Sequence, residues 1–372
     1  MLKKKFLYIF GILFFLLIIE LLSLIFLHIN KKFNRVYFKD ADLEKTFIEN
    51  SKNNLISFYF SKNYSQELGW DNNPDNTRLN SIGARNDFEN QKKKKKYFTF
   101  GSSFTWGDGV DENETWQYYL SKEYDSYIAN YGVGGYSAYQ AYLKFKKKQN
   151  LSNRFEGVIL TIFESEIDRI KNHYLNFYFE SGIRIRPVPK IENNNLIHTP
   201  LPFFNKKKTF YKEYLDFIGK SMIEDPWWKR RVEIKFPYTY FLIKFISLKI
   251  QDKIEFNLIY NDFKNTWSNK KTNKVFVKII DNFVYDAKNS NLKPIIVLLP
   301  RIRNKLSSGY KFNDVYKKLK NKNYCVINFS DFINMNKIKN NQKTVLNDGH
   351  YSTFTYKLLS KYMYEEIKKC NF

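Results

Sequence analysis

Ser103 is the first residue in the sequence whose setting suits chemistry. It lies in a glycine-bounded segment, Gly101–Gly107 (GSSFTWG), where a predicted strand gives way to a helix. A serine at such a turn presents its hydroxyl as a nucleophile, and its backbone N–H and the helix dipole face a developing oxyanion. Taken alone, the same segment also fits a serine that merely caps a helix.

His350 is the second candidate, and it lies near the carboxyl end in Asn347–Ser352 (NDGHYS). The chain has 4 histidines, and His350 alone has a carboxylate, Asp348, two residues away in a glycine-containing turn. Such a pair supplies a general base and the group that orients it. A lone histidine is usually structural, but the serine at a strand end makes His350 a catalytic candidate.

A third segment, Asn130–Ser137 (NYGVGGYS), follows another predicted strand. Its glycines allow the backbone to approach a ligand closely, and a backbone N–H at such a turn can be a second oxyanion donor. A phosphate-binding loop is the competing interpretation. It lacks both the dinucleotide glycine spacing and the Lys-Ser/Thr pair of a P-loop, so we do not expect nucleotide binding.

The elements that must position these residues alternate between strands and helices. Short apolar runs predict strands at Tyr97–Gly101, Ser126–Gly132, Gly157–Phe163, Lys293–Pro300 and Tyr324–Ser330. Helical patterns cover Trp116–Tyr124, Ala138–Lys148, Asn313–Lys320 and Thr353–Lys369. This alternation predicts an α/β fold with a parallel sheet, right-handed crossovers and a ligand site at the carboxyl ends of the strands.

The segment Phe6–Ile29 is apolar over roughly 24 residues, enough to cross a bilayer as a helix. No small-residue cleavage site follows it, so we expect an uncleaved signal anchor and a membrane partner through residues 6–29. Lysines flank both ends and define the orientation poorly. Because the amino terminus is short and basic, we place the large domain outside the cytoplasm.

Glu20 lies inside the span, where burial of a charged carboxylate costs free energy. We expect it to be protonated, paired with another subunit or in contact with a partner helix.

The predicted organisation has three parts. Residues 1–30 are the anchor, residues 31–95 a linker with an irregular approach, and residues 96–372 the α/β domain. Between about 169 and 275 the α/β pattern stops and aromatic, basic and helical stretches form an insertion. Within it, Phe236–Ile250 is apolar but interrupted by lysines, which favours an amphipathic helix packed on the domain or lying on the bilayer surface over a second span.

Composition excludes several classes of protein. The chain has 372 residues, 43% of them hydrophobic, so it is neither wholly disordered nor too short for a core. Its 2 cysteines exclude a disulfide-stapled scaffold and allow at most one bridge. The net charge of +25 is spread over dispersed basic runs with no nucleic-acid-binding module, so we attribute it to compositional drift and expect no nucleic-acid partner.

The three segments, taken together, resemble the sequence blocks of SGNH (GDSL-type) hydrolases, and more closely those of their membrane-anchored bacterial members. The resemblance implies a flavodoxin-like three-layer parallel sheet. It also implies that Ser103 is the nucleophile, His350 the base and Asp348 its orienting partner, with no metal or organic cofactor. The N–H groups of Ser103 and Gly135 take the place of oxyanion donors.

Further segments agree with the anchored members. Glu67–Trp70 (ELGW) and Asn80–Arg85 (NSIGAR) look like segments that precede the nucleophile, and Gly109–Trp116 carries the Gly-Val and Glu-Thr that follow it. The resemblance covers roughly residues 67–168 and 290–368. It leaves the middle of the chain unexplained.

Three departures separate the chain from the family pattern. Ser102 replaces the usual Asp of the first block. Asp348 lies two residues before His350, whereas the commonest family spacing is three, and the spacing of two looks like that of acetyl-transferring relatives. The third block, normally Gly-x-Asn-Asp, is Phe163–Glu166 (FESE), so the hydroxyl of Ser165 stands where the family has its asparagine donor. Loss of that donor would lower the rate on the order of 10²- to 10³-fold.

The leading hypothesis is a single-pass cell-membrane serine esterase that removes O-acyl, chiefly O-acetyl, groups from a cell-envelope glycan. One alternative is an O-acetyltransferase component that works with a membrane-bound acyltransferase in polysaccharide modification. A second alternative, favoured by the altered third block, is a non-catalytic glycan-binding protein on the same fold. The link to a glycan rests on analogy with relatives.

Overall fold

The computed structural model describes residues 2–34, 37–175, 183–204, 206–257, 269–302 and 313–372. The chain divides into two compact units, which we call the helical unit and the sheet unit. The helical unit comprises Met1–Phe60, Asn172–Ile185 and Pro202–Asp262. The sheet unit comprises Ser61–Lys171, Arg186–Leu201 and Phe263–Phe372.

The helices are numbered in chain order. The first seven are α1 (Leu2–Phe33), α2 (Ala41–Asn50), α3 (Lys52–Tyr59), α4 (Ser103–Trp106), α5 (Trp116–Tyr124), α6 (Ala138–Lys147) and α7 (Glu166–Arg169). They are followed by α8 (Lys207–Glu224), α9 (Pro226–Arg230), α10 (Tyr238–Asn257), α11 (Lys270–Asn289), α12 (Asn313–Lys320), α13 (Phe329–Met335) and α14 (Thr353–Lys368). Short 3-10 turns occupy Glu112–Glu114 and Gln149–Arg154.

The strands form one central sheet and two small hairpins. They are β1 (Tyr64–Ser65), β2 (Gly69–Trp70), β3 (Lys95–Phe100), β4 (Tyr127–Asn130), β5 (Gly157–Phe163), β6 (Lys190–Glu192), β7 (Asn195–Ile197), β8 (Lys293–Leu299) and β9 (Cys325–Asn328). The central sheet is parallel, in the order β4-β3-β5-β8-β9. Counted along the chain this is 2-1-3-4-5, the flavodoxin-like order, and it confirms the predicted α/β class.

Strand β5 lies at the centre of the sheet, and its sequence explains why. All of its residues are buried, and it pairs with β8 in unbroken register from Gly157 opposite Lys293 to Phe163 opposite Leu299. A parallel strand covered on both faces reads as a continuous apolar run, which GVILTIF is. The strand predicted from that run is confirmed at Gly157–Phe163.

Helices cover both faces of the sheet. One face packs on α5, α13 and α14, in a core that joins Ile159 and Val297 to Trp116. The other face packs on α6 and α11, and there the Phe98 ring stacks on the Phe155 ring with centroids 4.6 Å apart. Successive strand side chains point to opposite faces, so each strand contributes to both layers. The three-layer arrangement places all strand carboxyl ends along one edge.

A disulfide joins Cys325, the first residue of β9, to Cys370, which follows α14. The sequence allows at most one bridge, and the structure forms it. It ties the edge strand of the sheet to the carboxyl-terminal helix, with a sequence separation of 45.

Helix α1 is the long apolar helix expected at the amino terminus. Its segment Lys4–Phe33 is long and apolar enough to cross a membrane, and no other helix of the described residues meets the same criteria. Most of its apolar side chains are exposed, but Leu27 is buried with Phe241 and Phe245 of α10. A helix does cover most of Phe236–Ile250, as part of α10, and it packs on α1. Its exposed face carries Tyr240, Ile243 and Ile246, so the expected amphipathic character is not found.

The segment 31–95, expected to be a linker and irregular approach, contains regular structure. Helices α2 and α3 belong to the helical unit, and the hairpin β1–β2 belongs to the sheet unit. The polar composition hides isolated apolar positions, Ile48, Leu55 and Tyr59, that become buried. Of the expected insertion at about 169–275, most described residues belong to the helical unit, and residues 176–182, 205 and 258–268 lie outside the described residues.

Candidate active site

The turn after β3 places Ser103 at the first position of α4. The helix is short because Gly107 ends it in the left-handed conformation, with φ of 87°, and the N–H of Gly107 donates to the Ser103 carbonyl at 2.8 Å. Ser103 is buried but its hydroxyl is engaged, because its Oγ lies 2.9 Å from Nε2 of His350. The turn therefore directs the serine hydroxyl at the histidine.

His350 is held on its other side by Asp348. The Nδ1 atom lies 2.9 Å from Oδ2 of Asp348, and the backbone N–H of His350 donates to Oδ1 of the same carboxylate at 3.1 Å. The structure thus brings the three predicted side chains into one hydrogen-bonded chain, Asp348–His350–Ser103. With Nδ1–H held by the carboxylate, Nε2 is left to accept the serine proton.

The turn that carries Asp348 and His350 is fixed by backbone bonds. The N–H of Leu346 donates to the His350 carbonyl at 2.8 Å, and the N–H of Gly349 donates to the Leu346 carbonyl at 2.9 Å. The imidazole also contacts the ring of Phe104, with centroids 4.9 Å apart. Backbone and ring contacts together leave the imidazole little freedom to leave Ser103.

The charge of Asp348 is maintained by its contacts with His350. Burial raises the pKa of this carboxyl, but hydrogen bonds from the His350 amide and ring outweigh burial and hold the pKa below its usual range. The side chain is still 56% exposed, so water reaches it. Asp348 is therefore ionised at neutral pH and can stabilise an imidazolium on His350.

The loop after β4 lies directly against the Gly101–Gly107 turn that carries Ser103. Asn130 joins the two, since its Nδ2 donates to the Trp106 carbonyl at 3.1 Å and its Oδ1 accepts the N–H of Gly132 at 2.9 Å. A Cβ atom on Gly132 would lie 2.2 Å from the Trp106 nitrogen, so this position admits only glycine. The close approach explains the glycines that the sequence places there.

Gly135 follows in the same loop with φ of 78°, a conformation that favours glycine. The indole N–H of Trp70 donates to the Gly134 carbonyl at 3.0 Å, which fixes the peptide that precedes Gly135. Among the described residues, neither the N–H of Ser103 nor that of Gly135 donates a hydrogen bond. Both N–H groups remain free for a ligand oxygen.

Ser165 occupies the third strand end, after β5. It is buried, it precedes α7, and its hydroxyl forms no hydrogen bond with the described residues. Glu164 and Glu166 on either side turn to the backbone, accepting the N–H of Arg301 at 3.1 Å and that of Phe163 at 3.0 Å. The two carboxylates therefore have structural partners of their own.

Glu166 is fully buried, and burial raises its pKa to about 7. The positive charges of Arg169 and Arg186 and the hydrogen bond from the Phe163 N–H oppose that rise. With a pKa of about 7, this carboxyl is partly protonated at neutral pH, which lowers the cost of burying its charge.

Asp108 is a residue that the sequence reasoning missed. Its carboxylate interacts electrostatically with His350 and with Arg85, while burial raises its pKa. The backbone N–H of Asp108 donates to the Ser103 carbonyl at 3.1 Å, whereas its carboxylate makes no hydrogen bond or ion pair with any described residue. The Oδ2 atom lies 3.4 Å from where a Cβ of Gly134 would be. The signal was its place in Gly107–Gly109 (GDG), directly after the nucleophile helix.

Arg85 was noted only as part of a resembling segment, and the structure shows what it does. Its guanidinium is buried, and it donates to the carbonyls of Trp106, Gly107 and Val110 at 2.5, 2.9 and 2.6 Å. Burial lowers its pKa to about 10, so it stays charged at neutral pH. Arg85 clamps the loop that follows α4 and thereby positions Ser103.

A polar cavity of about 500 Å³ adjoins this loop. Its lining includes Gly109, whose Cβ position would be 3.9 Å from Oδ2 of Asp348, and the polar side chains of Arg78, Asn86 and Glu112. Among the described residues there is no group of three or more histidine, cysteine, aspartate or glutamate side chains suited to a metal ion. In this lining Arg78 and Glu112 pair with each other at 2.5 Å, and neither Ser103 nor His350 lines the cavity.

No protein-family model and no curated protein matches the chain. Solved structures do resemble it. A putative lipolytic protein of the G-D-S-L family from Desulfitobacterium hafniense is 13% identical over 73% of this chain and 98% of its own, with a TM-score of 0.37. The psychrotrophic esterase EstA from Pseudoalteromonas sp. is 11% identical over 74% of this chain and 97% of its own, with a TM-score of 0.35.

A member of the same lipolytic family from Veillonella parvula is 9% identical, over 73% of this chain and 96% of its own, with a TM-score of 0.36. Of these three chains, the two from Desulfitobacterium hafniense and Veillonella parvula are described as members of the lipolytic G-D-S-L family. Identity and superposition are both low. The geometry of the site therefore carries the functional conclusion.

Proposed function

We propose that the sheet unit is a serine esterase of the SGNH type that cleaves O-acyl esters. The observation that carries the proposal is the hydrogen-bonded chain of Asp348, His350 and Ser103, with 2.9 Å at each link between side chains. A serine bonded to an imidazole, which is bonded in turn to a carboxylate, is the arrangement that activates a hydroxyl as a nucleophile.

In the proposed reaction, Oγ of Ser103 attacks the acyl carbonyl while Nε2 of His350 accepts the hydroxyl proton. The new Ser103–acyl bond forms as the carbonyl oxygen becomes an oxyanion, which the free N–H groups of Ser103 and Gly135 hold, with the hydroxyl of Ser165 as third donor. The C–O bond to the alcohol then breaks, and His350 returns its proton to the departing oxygen. Water, activated by His350, releases the acid.

The preferred substrate is an O-acetylated glycan of the cell envelope. Support for a hydroxyl-rich alcohol portion comes from the polar cavity beside Gly109, which Arg78, Asn86 and Glu112 line and which lies on the loop after α4 rather than at Ser103 itself. The apolar helix α1 and the disulfide Cys325–Cys370 support a chain anchored in the cell membrane with the sheet unit outside the cytoplasm. A short acyl group fits a serine that is only 6% exposed.

A second candidate is transfer of the acetyl group to a polysaccharide hydroxyl, with a membrane-bound acyltransferase as donor partner. The Asp-x-His spacing of Asp348 and His350 favours it. The chemistry is identical up to the acyl-enzyme, and a sugar hydroxyl then replaces water. Hydrolysis would release free acetate, whereas transfer would place the acetyl group on an added oligosaccharide, so measuring both products distinguishes the two activities.

A non-catalytic glycan-binding role is the third candidate. Hydrolysis of an aryl acetate tests it, because a protein that only binds a glycan would not cleave the ester. We expect the full-length protein in detergent to hydrolyse p-nitrophenyl acetate and Ser103→Ala to lose the activity. Ser102→Ala is the matched control, because it removes the neighbouring hydroxyl and should keep most of the activity. Equal rates for the wild type and Ser103→Ala would overturn the nucleophile.

A further inference from the structure

Glu20, the carboxylate inside the apolar run of α1, has a specific partner in the helical unit. Its side chain accepts the backbone N–H groups of Tyr238 and Thr239, at the start of α10. The hydroxyl groups of Ser23 and Thr239 lie 3.2 Å apart and add a second contact between the helices. Glu20 therefore caps the amino end of α10, whose first N–H groups have no partner within the helix.

The position of Glu20 along α1 sets the depth at which α10 begins. Glu20 precedes the end of the apolar run, Ile29, by nine residues, or about 13 Å along the helix axis. From this point α10 runs beside α1 in the same direction, because Leu27, further along α1, packs on Phe241 and Phe245. If α1 crosses a bilayer, α10 begins within the hydrocarbon layer.

Helix α10 is apolar on its outer face as well as on the face that packs on α1. Phe241 and Phe245 are buried, whereas Tyr240, Ile243, Ile246 and Ile250 are exposed. The exposed side chains recur at helical spacing, and α1, on which α10 packs, also exposes apolar side chains such as Leu22 and Ile25. Exposed apolar side chains in such number are unfavourable in water and mark contact with a partner or with lipid.

Two observations identify lipid as the partner of this outer face. Helix α10 packs along α1, and both helices expose apolar side chains, so both would meet the same environment. The cap by Glu20 also satisfies N–H groups that water could not reach at this depth, as backbone in hydrocarbon requires. Lys244 and Lys249 have long apolar stems that let their ammonium groups reach the interface, and the Lys249 ammonium lies 5.5 Å from the Phe245 ring centroid.

We propose that the outer face of α10 contacts phospholipid acyl chains in the leaflet that holds the carboxyl-terminal half of α1, and that Glu20 holds α10 there by capping it. The chain is then anchored by a spanning helix together with a second helix that enters one leaflet. This inference rests on α1 crossing a bilayer. It is independent of the proposed esterase activity.

Spin labels on the full-length protein in vesicles of phosphatidylethanolamine and phosphatidylglycerol (3:1) test the surface. Ile243→Cys carries the label on α10, Leu22→Cys is the lipid-facing reference on α1, and Asn54→Cys is the water-facing reference on α3. We expect the label at 243 to collide often with oxygen and rarely with a water-soluble nickel chelate, as at 22. Nickel accessibility like that at 54, or low accessibility to both reagents, would overturn the proposal.

Variants of Glu20 test the cap. Glu20→Leu keeps an apolar side chain in the span but removes the acceptor, and we expect nickel accessibility at 243 to rise severalfold. Glu20→Gln retains an acceptor oxygen and should keep most of the lipid contact. Unchanged accessibility in Glu20→Leu would overturn the capping role, whereas the label at 22 reports whether α1 itself still inserts.

Discussion

The Nε2 atom of His350 lies 2.9 Å from Oγ of Ser103, although 247 positions separate the two residues in the chain. Ser103 follows the first strand of the central sheet, and His350 precedes the last helix. Parallel strands bring their carboxyl ends to one edge, so the fold joins what the sequence separates. A serine that only capped a helix would not require this contact, so the contact favours a chemical role for Ser103 over a capping role.

The two carboxylates near His350 should differ in their effect on catalysis. Asp348 bonds Nδ1 directly, so Asp348→Asn is expected to lower kcat by a factor on the order of 10² or more, because the amide no longer fixes the proton on Nδ1. Asp108 acts only through its charge, so Asp108→Asn should lower kcat less. The rates of p-nitrophenyl acetate hydrolysis by the two variants compare these effects. A larger loss of kcat in Asp108→Asn than in Asp348→Asn would show that Asp348 is not the orienting carboxylate.

Ser165 is expected to assist the oxyanion. Ser165→Ala should lower kcat on the order of 10²-fold with little change in KM, because a donor used mainly in the transition state is lost. Ser165→Asn returns a side-chain N–H donor and should recover part of the rate. A rate for Ser165→Ala equal to that of the wild type would show that the N–H groups of Ser103 and Gly135 suffice.

Glu166 should make the stability of the sheet unit depend on pH. Its pKa is raised from 4.5 to about 7 by burial, so the folded state holds a proton that the unfolded state has lost between these values. The free energy of unfolding should therefore fall as the pH rises from about 4.5 to about 7, by on the order of 3 kcal/mol.

Chemical denaturation of the full-length protein in detergent at several pH values measures this dependence. Glu166→Gln, which is neutral throughout, should flatten it in the same window. Asp225 of the helical unit has a pKa raised to about 6, also by burial, so the difference between wild type and variant is the informative quantity. An identical slope for the two proteins would mean that Glu166 does not titrate there.

The disulfide Cys325–Cys370 should contribute to stability. The double variant Cys325→Ser, Cys370→Ser releases a loop with a sequence separation of 45, and we expect it to lower the free energy of unfolding by about 2 to 4 kcal/mol. Thermal unfolding with and without reductant provides the check. Reduced wild type should match the variant, and a variant as stable as the oxidised protein would contradict the expectation.

Much of the sheet could be predicted from local patterns. Buried parallel strands are apolar throughout, so β5 and β8 stand out in the sequence, and their helices carry a helical period. Ser103 was recognisable because glycines mark a turn at a strand end, and His350 because a carboxylate lies two residues away in a glycine-containing turn. These signals are local, which is why one sequence is enough to find them.

Other features depend on contacts that no local pattern carries. Arg85 looks like a surface arginine, yet it is buried against three carbonyls of a distant loop. The sequence alone allowed several environments for the Glu20 carboxylate, and the structure shows that it accepts the backbone N–H of Tyr238 at the start of α10. The helices of 31–95 were hidden for a related reason, since their few apolar residues are buried only by segments far along the chain.

Covalent trapping tests the role of Ser103 as an activated nucleophile most directly. An alkyl fluorophosphonate reacts with an activated serine hydroxyl, and peptide mass spectrometry locates the adduct. We expect one phosphonyl group on Ser103 of the full-length protein, absent in Ser103→Ala and much slower to form in His350→Ala, whereas Ser102→Ala still reacts. No adduct on the folded wild type, or an adduct on another serine, would contradict this role.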